Sequence, residues 1–149
     1  MIYDDEQVKS LIDRVRVARL ATVDSDNNRL HLVPVVFVFD GSYFFIPIDE
    51  KRKKVKPEKL KRIKNIRNNP NVALLIDEYS EDWTKLAFVM IQGKGTIITA
   101  EIQGNNNIRL QEAYKKLMTK YNQYQKIGLS DICIMIKPEK VTAWRNSQL

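Results

Sequence analysis

Cysteine occurs once, as Cys133, and histidine once, as His31. One thiol excludes an intrachain disulfide and suits a reducing, cytosolic location. With a single histidine and a single cysteine, a Cys/His metal centre is not expected either. Apolar runs are short: residues 32–39 fall far below the ~20 needed to cross a bilayer. The opening Met-Ile-Tyr-Asp-Asp-Glu is acidic and has no apolar core, so no signal peptide is expected. The glycine patterns of Rossmann and P-loop nucleotide sites are missing, as is the Gly-x-Ser-x-Gly elbow of serine hydrolases. A Ser-His-Asp triad would have to use His31, with no local signature around it. Paired acids such as Asp4-Asp5 and Asp49-Glu50 read as caps and loops. No side chain stands out as a catalyst, so an enzyme built on this chain would borrow its reactive group from a cofactor.

What is present is an ordinary globular composition, 44% hydrophobic and 29% charged over 149 residues, enough for one domain with a real core. The net charge is +7, and it is concentrated. Residues 51–70 hold ten lysines and arginines against Glu58 alone, which is +9 there and −2 over the remainder. A nucleic-acid coat would more often spread its charge over a face.

The chain reads as three helices interspersed among about six strands. Asp4 or Asp5 caps a first helix, with Val8, Leu11, Ile12 and Val15 on one face. Residues 16–23 and 30–39 are strands joined by a turn at 24–28, and Asp40-Gly41 turns into a strand at 43–48. Residues 51–56 read as a solvated loop. Pro57 suits the first turn of a second helix, with Leu60, Ile63 and Ile66 on one side and Lys61, Arg62 and Asn65 on the other. Asn69-Pro70 stops it. A buried strand at 71–77, a polar loop to Asp82 and Trp83, and a long arm at 84–99 follow, with Gly93 and Gly95 marking bulges or bends. A third helix spans 108–124, and 131–144 closes the chain as one or two strands around Lys137-Pro138. Six strands with connections too short for parallel crossovers predict a mainly β fold, an antiparallel barrel with peripheral helices.

The second helix carries the strongest chemical signal. Unpaired N–H groups at a helix start, with lysine and arginine beside them, suit a phosphate ester. On charge alone, a solvated basic helix and a nucleic-acid contact compete with that reading. The stretch lacks the interleaved aromatics of a base-stacking platform. Pro34 inside an apolar strand marks an edge or a bulge, where free backbone groups could meet a pyrimidine-like ring, or where proline merely protects the edge. His31 reads as a packed or surface histidine, Cys133 as a small core residue, and Trp83 and Trp144 as either ring-stacking or buried.

The order of these pieces resembles a known family. The segment Leu60-x-x-Ile63-x-Asn65-Ile66-x-x-Asn69-Pro70 follows a hairpin strand His31-Leu32-Val33-Pro34-Val35-Val36. It precedes the loop Asp77-Glu78-Tyr79 with Glu81-Asp82-Trp83. Together they look like the pyridoxamine 5'-phosphate oxidase-like FMN-binding split barrels (the flavin-reductase-like kind). The chain is most similar to the branch of deazaflavin (coenzyme F-420)-dependent oxidoreductases, from Arg19-Leu20-Ala21-Thr22 through Val141-Thr142-Ala143-Trp144-Arg145.

The resemblance implies a homodimer holding a flavin or deazaflavin at its interface, and a hydride passed to or from a small organic substrate. It implies that Lys61 and Arg62 grip the cofactor phosphate and that His31, Leu32, Val33, Pro34, Val35 and Val36 pass beneath the ring. Ile46 and Pro47 end the next strand at the cofactor, and Trp144 is the family's aromatic residue near the C-terminus. Two positions depart from the oxidases: Phe88 replaces a polar residue, and Val36 a basic one. Both argue against pyridoxamine phosphate as the substrate. The extra basic residues at 51–56 would suit the longer tail of coenzyme F-420. A non-catalytic cofactor carrier on the same barrel, and a nucleic-acid module using residues 51–67, are the alternative expectations.

Overall fold

A computed structural model describes residues 5–48 and 60–146. Asp4, Asp49-Glu50, the basic loop at 51–56 and Pro57 lie outside the described residues. Helix α1, Glu6–Arg14, is capped as expected: Asp5 accepts from the N–H groups of Gln7 (2.8 Å) and Val8 (3.4 Å). Its face with Leu11 and Ile12 is buried.

Seven strands form one antiparallel sheet: β1 Ala18–Val23, β2 Leu30–Val35, β3 Val38–Phe39, β4 Phe44–Pro47, β5 Asn71–Glu78, β6 Ala87–Thr99 and β7 Ile132–Arg145. Their order is β2-β1-β5-β6-β7-β4-β3, so β2, with Pro34, is an edge strand as its proline suggests. The sheet curls into a half-barrel. Its concave face gathers Leu20, Val35, Phe44, Ile46, Leu74, Ile76, Val89, Ile91, Ile134 and Ile136 into the main core. Helix α2, Lys61–Asn68, adds Ile63 and Ile66 to that core. A second core lies on the other face, where Leu110, Ala113 and Leu117 of helix α3, Asn105–Lys120, cover Phe45, Ile98, Cys133 and Met135. A short helix α4, Tyr124–Ile127, follows. Helix α3 starts three residues earlier than expected because Gly104, at φ +76°, turns the chain into it. Residues 84–85, expected at the start of the long strand, instead join Trp83 in a 3-10 turn that Asp82 caps through the Thr84 N–H.

The described residues form seven strands rather than six because the predicted strand 30–39 breaks at residues 36–37. Phe37 is fully buried, yet its backbone is satisfied by side chains instead of a neighbouring strand. The Tyr121 hydroxyl accepts from the Phe37 N–H (3.2 Å), lies 3.2 Å from the Phe37 carbonyl and donates to the Arg16 carbonyl (2.8 Å). This frees the chain to leave β1 and pair with β4. Tyr121→Phe strips a buried N–H of its partner, so unfolding in urea is expected to show a loss of about 1–3 kcal/mol. A variant as stable as the parent would remove Tyr121 as the pin of this break.

Lys120 is half-buried beside that pin. Its ammonium sits 3.9 Å from the Phe37 ring centre and within 3.3–3.4 Å of the Phe37 and Ile12 carbonyls. Burial, helped by the Arg16 charge and opposed by Asp13, pulls its pKa down from 10.5 to about 8. The unfolded chain therefore holds this proton more tightly than the folded one. Stability attributable to Lys120 is expected to rise with pH from about 8 toward 10.5. Urea unfolding of the parent and of Lys120→Met across that interval checks it. The parent should gain on the variant, and parallel profiles would refute the assignment.

The long strands β6 and β7 pair throughout, with one register shift between Gln92 and Gly93. Gln92 faces Lys140 and Gly93 faces Pro138, so Glu139 is the extra residue of a bulge. The bulge expected from Gly93 is therefore present, and Lys137-Pro138 bends β7 without dividing it.

Candidate functional site

The β1–β2 turn and the start of α2 meet at one end of the half-barrel. Asn28 adopts φ +57°, and the turn closes through Asn28 N–H to the Asp24 carbonyl (2.8 Å) and Asp24 N–H to the Arg29 carbonyl (2.9 Å). This fixes Asp24, whose side chain accepts from the Asp26 N–H at 2.9 Å and pairs with the Lys61 ammonium. The Lys61 bond holds the Asp24 carboxyl below its ordinary pKa, with the Asp26 N–H helping.

Helix α2 begins at Lys61 with Leu60 as an extended N-cap. Among the described residues no side chain caps it, so none of them gives the first-turn N–H groups a side-chain acceptor. One turn along, the Asn65 amide donates to the Thr22 hydroxyl at 3.0 Å, with Asn65 and Thr22 only 3% and 2% exposed. That corrects the expectation that Asn65 lies on the solvent side with Lys61 and Arg62. Thr22 in β1 supplies the partner that lets an amide go inside.

His31 pairs across the hairpin with Thr22 and so shares this corner. Its Nδ1 is buried without a partner among the described residues, and so is the Nε of the half-buried Arg62. Burial first, then the charges of Arg62 and Lys61, hold the His31 pKa below its ordinary value, so the ring is neutral at neutral pH. Burial likewise lowers the Arg62 pKa, though a guanidinium stays protonated. Buried polar groups in native proteins are nearly always bonded, so two such nitrogens in one corner call for a ligand. Two cations, an uncapped helix start and an unpaired guanidinium donor are the donor set of a phosphate site. A phosphate fits these residues.

The remaining predicted site residues fall in three places. His31, Val33 and Val35 point from β2 toward the core, while Leu32 (66% exposed) and Pro34 point away. Val36, after the end of β2, packs against the second core. Ile46 and Pro47 are buried in β4, paired with Ile134 and Cys133 of β7. Phe88 and Trp144 face each other across β6 and β7 on the convex side, ring centres 6.0 Å apart and 27° from parallel. They line a shallow cavity of about 440 Å³ with Leu75, Tyr79 and Leu86. Trp144 (47%) and Trp83 (56%) are both exposed, so neither is a core residue. Cys133 is fully buried, as expected, and burial pushes its thiol pKa well up. Lys61, Arg62 and His31 are therefore together, and the aromatic pair stands on the opposite face of the sheet.

Sequence reasoning missed Asp24, Thr22 and Asn65. Asp24 was legible only as a turn residue, because its partner lies 37 positions away. Asn65 gave no such signal either, because its partner Thr22 lies 43 positions away in another element.

Among the described residues, no group of three or more His, Cys, Asp or Glu is placed to hold a metal. Nor is any described helix long and apolar enough to cross a membrane.

Solved structures share the fold. An FAD-binding protein from Mesorhizobium loti aligns over 93% of this chain and 92% of its own, with TM-score 0.67 and 16% identity. A protein described as an F420 reductase aligns over 90% and 94%, with TM-score 0.64 and 19% identity. HutZ, a heme storage protein from Vibrio cholerae, aligns over 95% and 93%, with TM-score 0.68 and 14% identity. At these identities the likeness is one of fold. No curated protein matches the chain. The family model for pyridoxamine 5'-phosphate oxidase matches residues 4–145, nearly the full length, and the chain therefore belongs to that family of split barrels.

Proposed function

We propose that this protein is a cytosolic oxidoreductase that binds coenzyme F-420 or FMN by its phosphate at the start of α2. The observation that carries this reading is the pair of buried, unpartnered nitrogens, Arg62 Nε and His31 Nδ1, beside the Lys61 ammonium. When bound, such a cofactor supplies hydride chemistry to a small organic substrate. The chain supplies the rest. Lys61, Arg62 and the α2 N–H groups hold the phosphate, and the edge strand β2, with Pro34, offers free backbone groups to a ring. Membership of the family and the flavin-binding fold neighbours support a flavin-type cofactor. The likeness to an F420 reductase favours the deazaflavin. Absorbance and fluorescence titrations with both cofactors test the reading. Micromolar binding of at least one is expected, and binding of neither would end it. Stopped-flow reduction and reoxidation of the bound cofactor separates an enzyme from a carrier.

The protein is further proposed to be a homodimer closed over the convex face of β2, β1, β5 and β6. That face exposes Leu30 and Leu32 and carries Leu75, Phe88 and Trp144 around the Arg19–Asp77 ion pair (2.9 Å). Contiguous apolar surface of this kind marks an interaction site. Sedimentation velocity should give twice the chain mass of 17.4 kDa, and a monomer that still binds flavin would refute the dimer alone.

A further inference from the structure

We propose that Asp24 is a specificity residue, and that it sets the phosphate clamp for a singly charged phosphodiester rather than the doubly charged phosphate of a monoester. The inference rests on the phosphate-site reading above and says which phosphate the site takes. Lys61, the first residue of α2, is paired with Asp24 and is not a free cation. The carboxylate cannot easily swing away: its side chain is only 12% exposed, the Asp26 N–H holds its other oxygen, and the turn beneath it is closed by two backbone bonds. Lys61, Arg62 and Asp24 together carry one positive charge. His31 is left out of this count, because burial and the two neighbouring cations hold its pKa below the ordinary value. Thr22 and Asn65 complete the corner and are bonded to each other.

A phosphodiester carries one negative charge and balances this set. A monoester above pH ~7 carries nearly two, because its second proton leaves near pH 6. The second charge would lie beside the Asp24 carboxylate in a half-buried corner, where like charges repel strongly. Removing the Asp24 charge should therefore favour the monoester selectively.

The test compares FMN with its phosphate methyl ester, which has the same ring and chain and one charge fewer. Dissociation constants are read by fluorescence titration at about pH 8, where the monoester is fully ionised. The parent should bind the methyl ester at least as tightly as FMN, whereas Asp24→Asn should shift the ratio toward FMN by about tenfold. Asparagine keeps an acceptor for the Asp26 N–H, and circular dichroism checks the fold. Residues 51–59 are common to all four titrations, so the change in ratio isolates Asp24. If both ligands bind and the variant leaves the ratio unmoved, the specificity role is overturned while the phosphate site stands. A parent that binds FMN more tightly than the methyl ester overturns it without any variant. If neither ligand binds, both proposals fall.

Discussion

Arg62→Ala is expected to weaken flavin or deazaflavin binding by about 10- to 100-fold, the loss of one charge-assisted hydrogen bond worth ~1.5–3 kcal/mol. The same substitution should leave the thermal midpoint of the ligand-free protein unchanged or slightly raised. The reason is the unusual state of the residue: it is half-buried, its Nε has no partner, and burial disfavours its charge. An arginine that held the fold together would be bonded within the protein. Here the guanidinium is costly to the free fold and rewarded only by an anion. Lys61→Ala should also weaken binding but behave differently in the free protein, since it breaks the pair with Asp24. Fluorescence titration and thermal melts on the same samples check both effects. A destabilised Arg62→Ala protein with unaltered affinity would mean that Arg62 is structural.

Gly93→Ala is expected to cost about 3 kcal/mol or more, with a fall in the melting midpoint of about 10 °C. A Cβ at Gly93 would stand 2.1 Å from the Lys137 carbonyl oxygen and 3.1 Å from the Pro138 Cα. Both are backbone atoms of the facing strand at the bulge, so no side-chain rotation relieves the clash. Gly95→Ala is the natural comparison. Its Cβ would meet the Ile66 and Val72 side chains at 3.3 Å, contacts that small shifts can accommodate at about 1 kcal/mol. Urea unfolding of the two variants should rank Gly93→Ala well below Gly95→Ala. Equal losses would mean that β6 and β7 are not locked together at the bulge.

The sequence foretold the parts of the fold that depend on local pattern. The Asp5 cap, the buried strand Asn71–Glu78, the edge position of Pro34 and the bulge at Gly93 follow from residue type and period. What it hid depends on distant partners. The break at Phe37 could not be read, because the hydroxyl that replaces its ladder bonds belongs to Tyr121, 84 positions on. Asn65 looked like a solvent-facing amide, because Thr22, its partner, lies in a different element 43 positions earlier. Lys61 and Arg62 were legible as a cationic helix start. Their unequal states were not: Lys61 is paired with a turn carboxylate, and the Arg62 Nε has no partner among the described residues. That difference arises from burial and cross-chain contact, which charge counting does not register.

The claim on which the rest depends is that the start of α2 binds the cofactor through its phosphate. Comparing each cofactor with its dephosphorylated form, FMN with riboflavin and coenzyme F-420 with its phosphate-free deazaflavin, tests it most directly. The account predicts micromolar binding of at least one phosphorylated form, and binding at least ~50-fold weaker once the phosphate is removed, as the loss of two charged contacts requires. Equal affinity with and without the phosphate would contradict it.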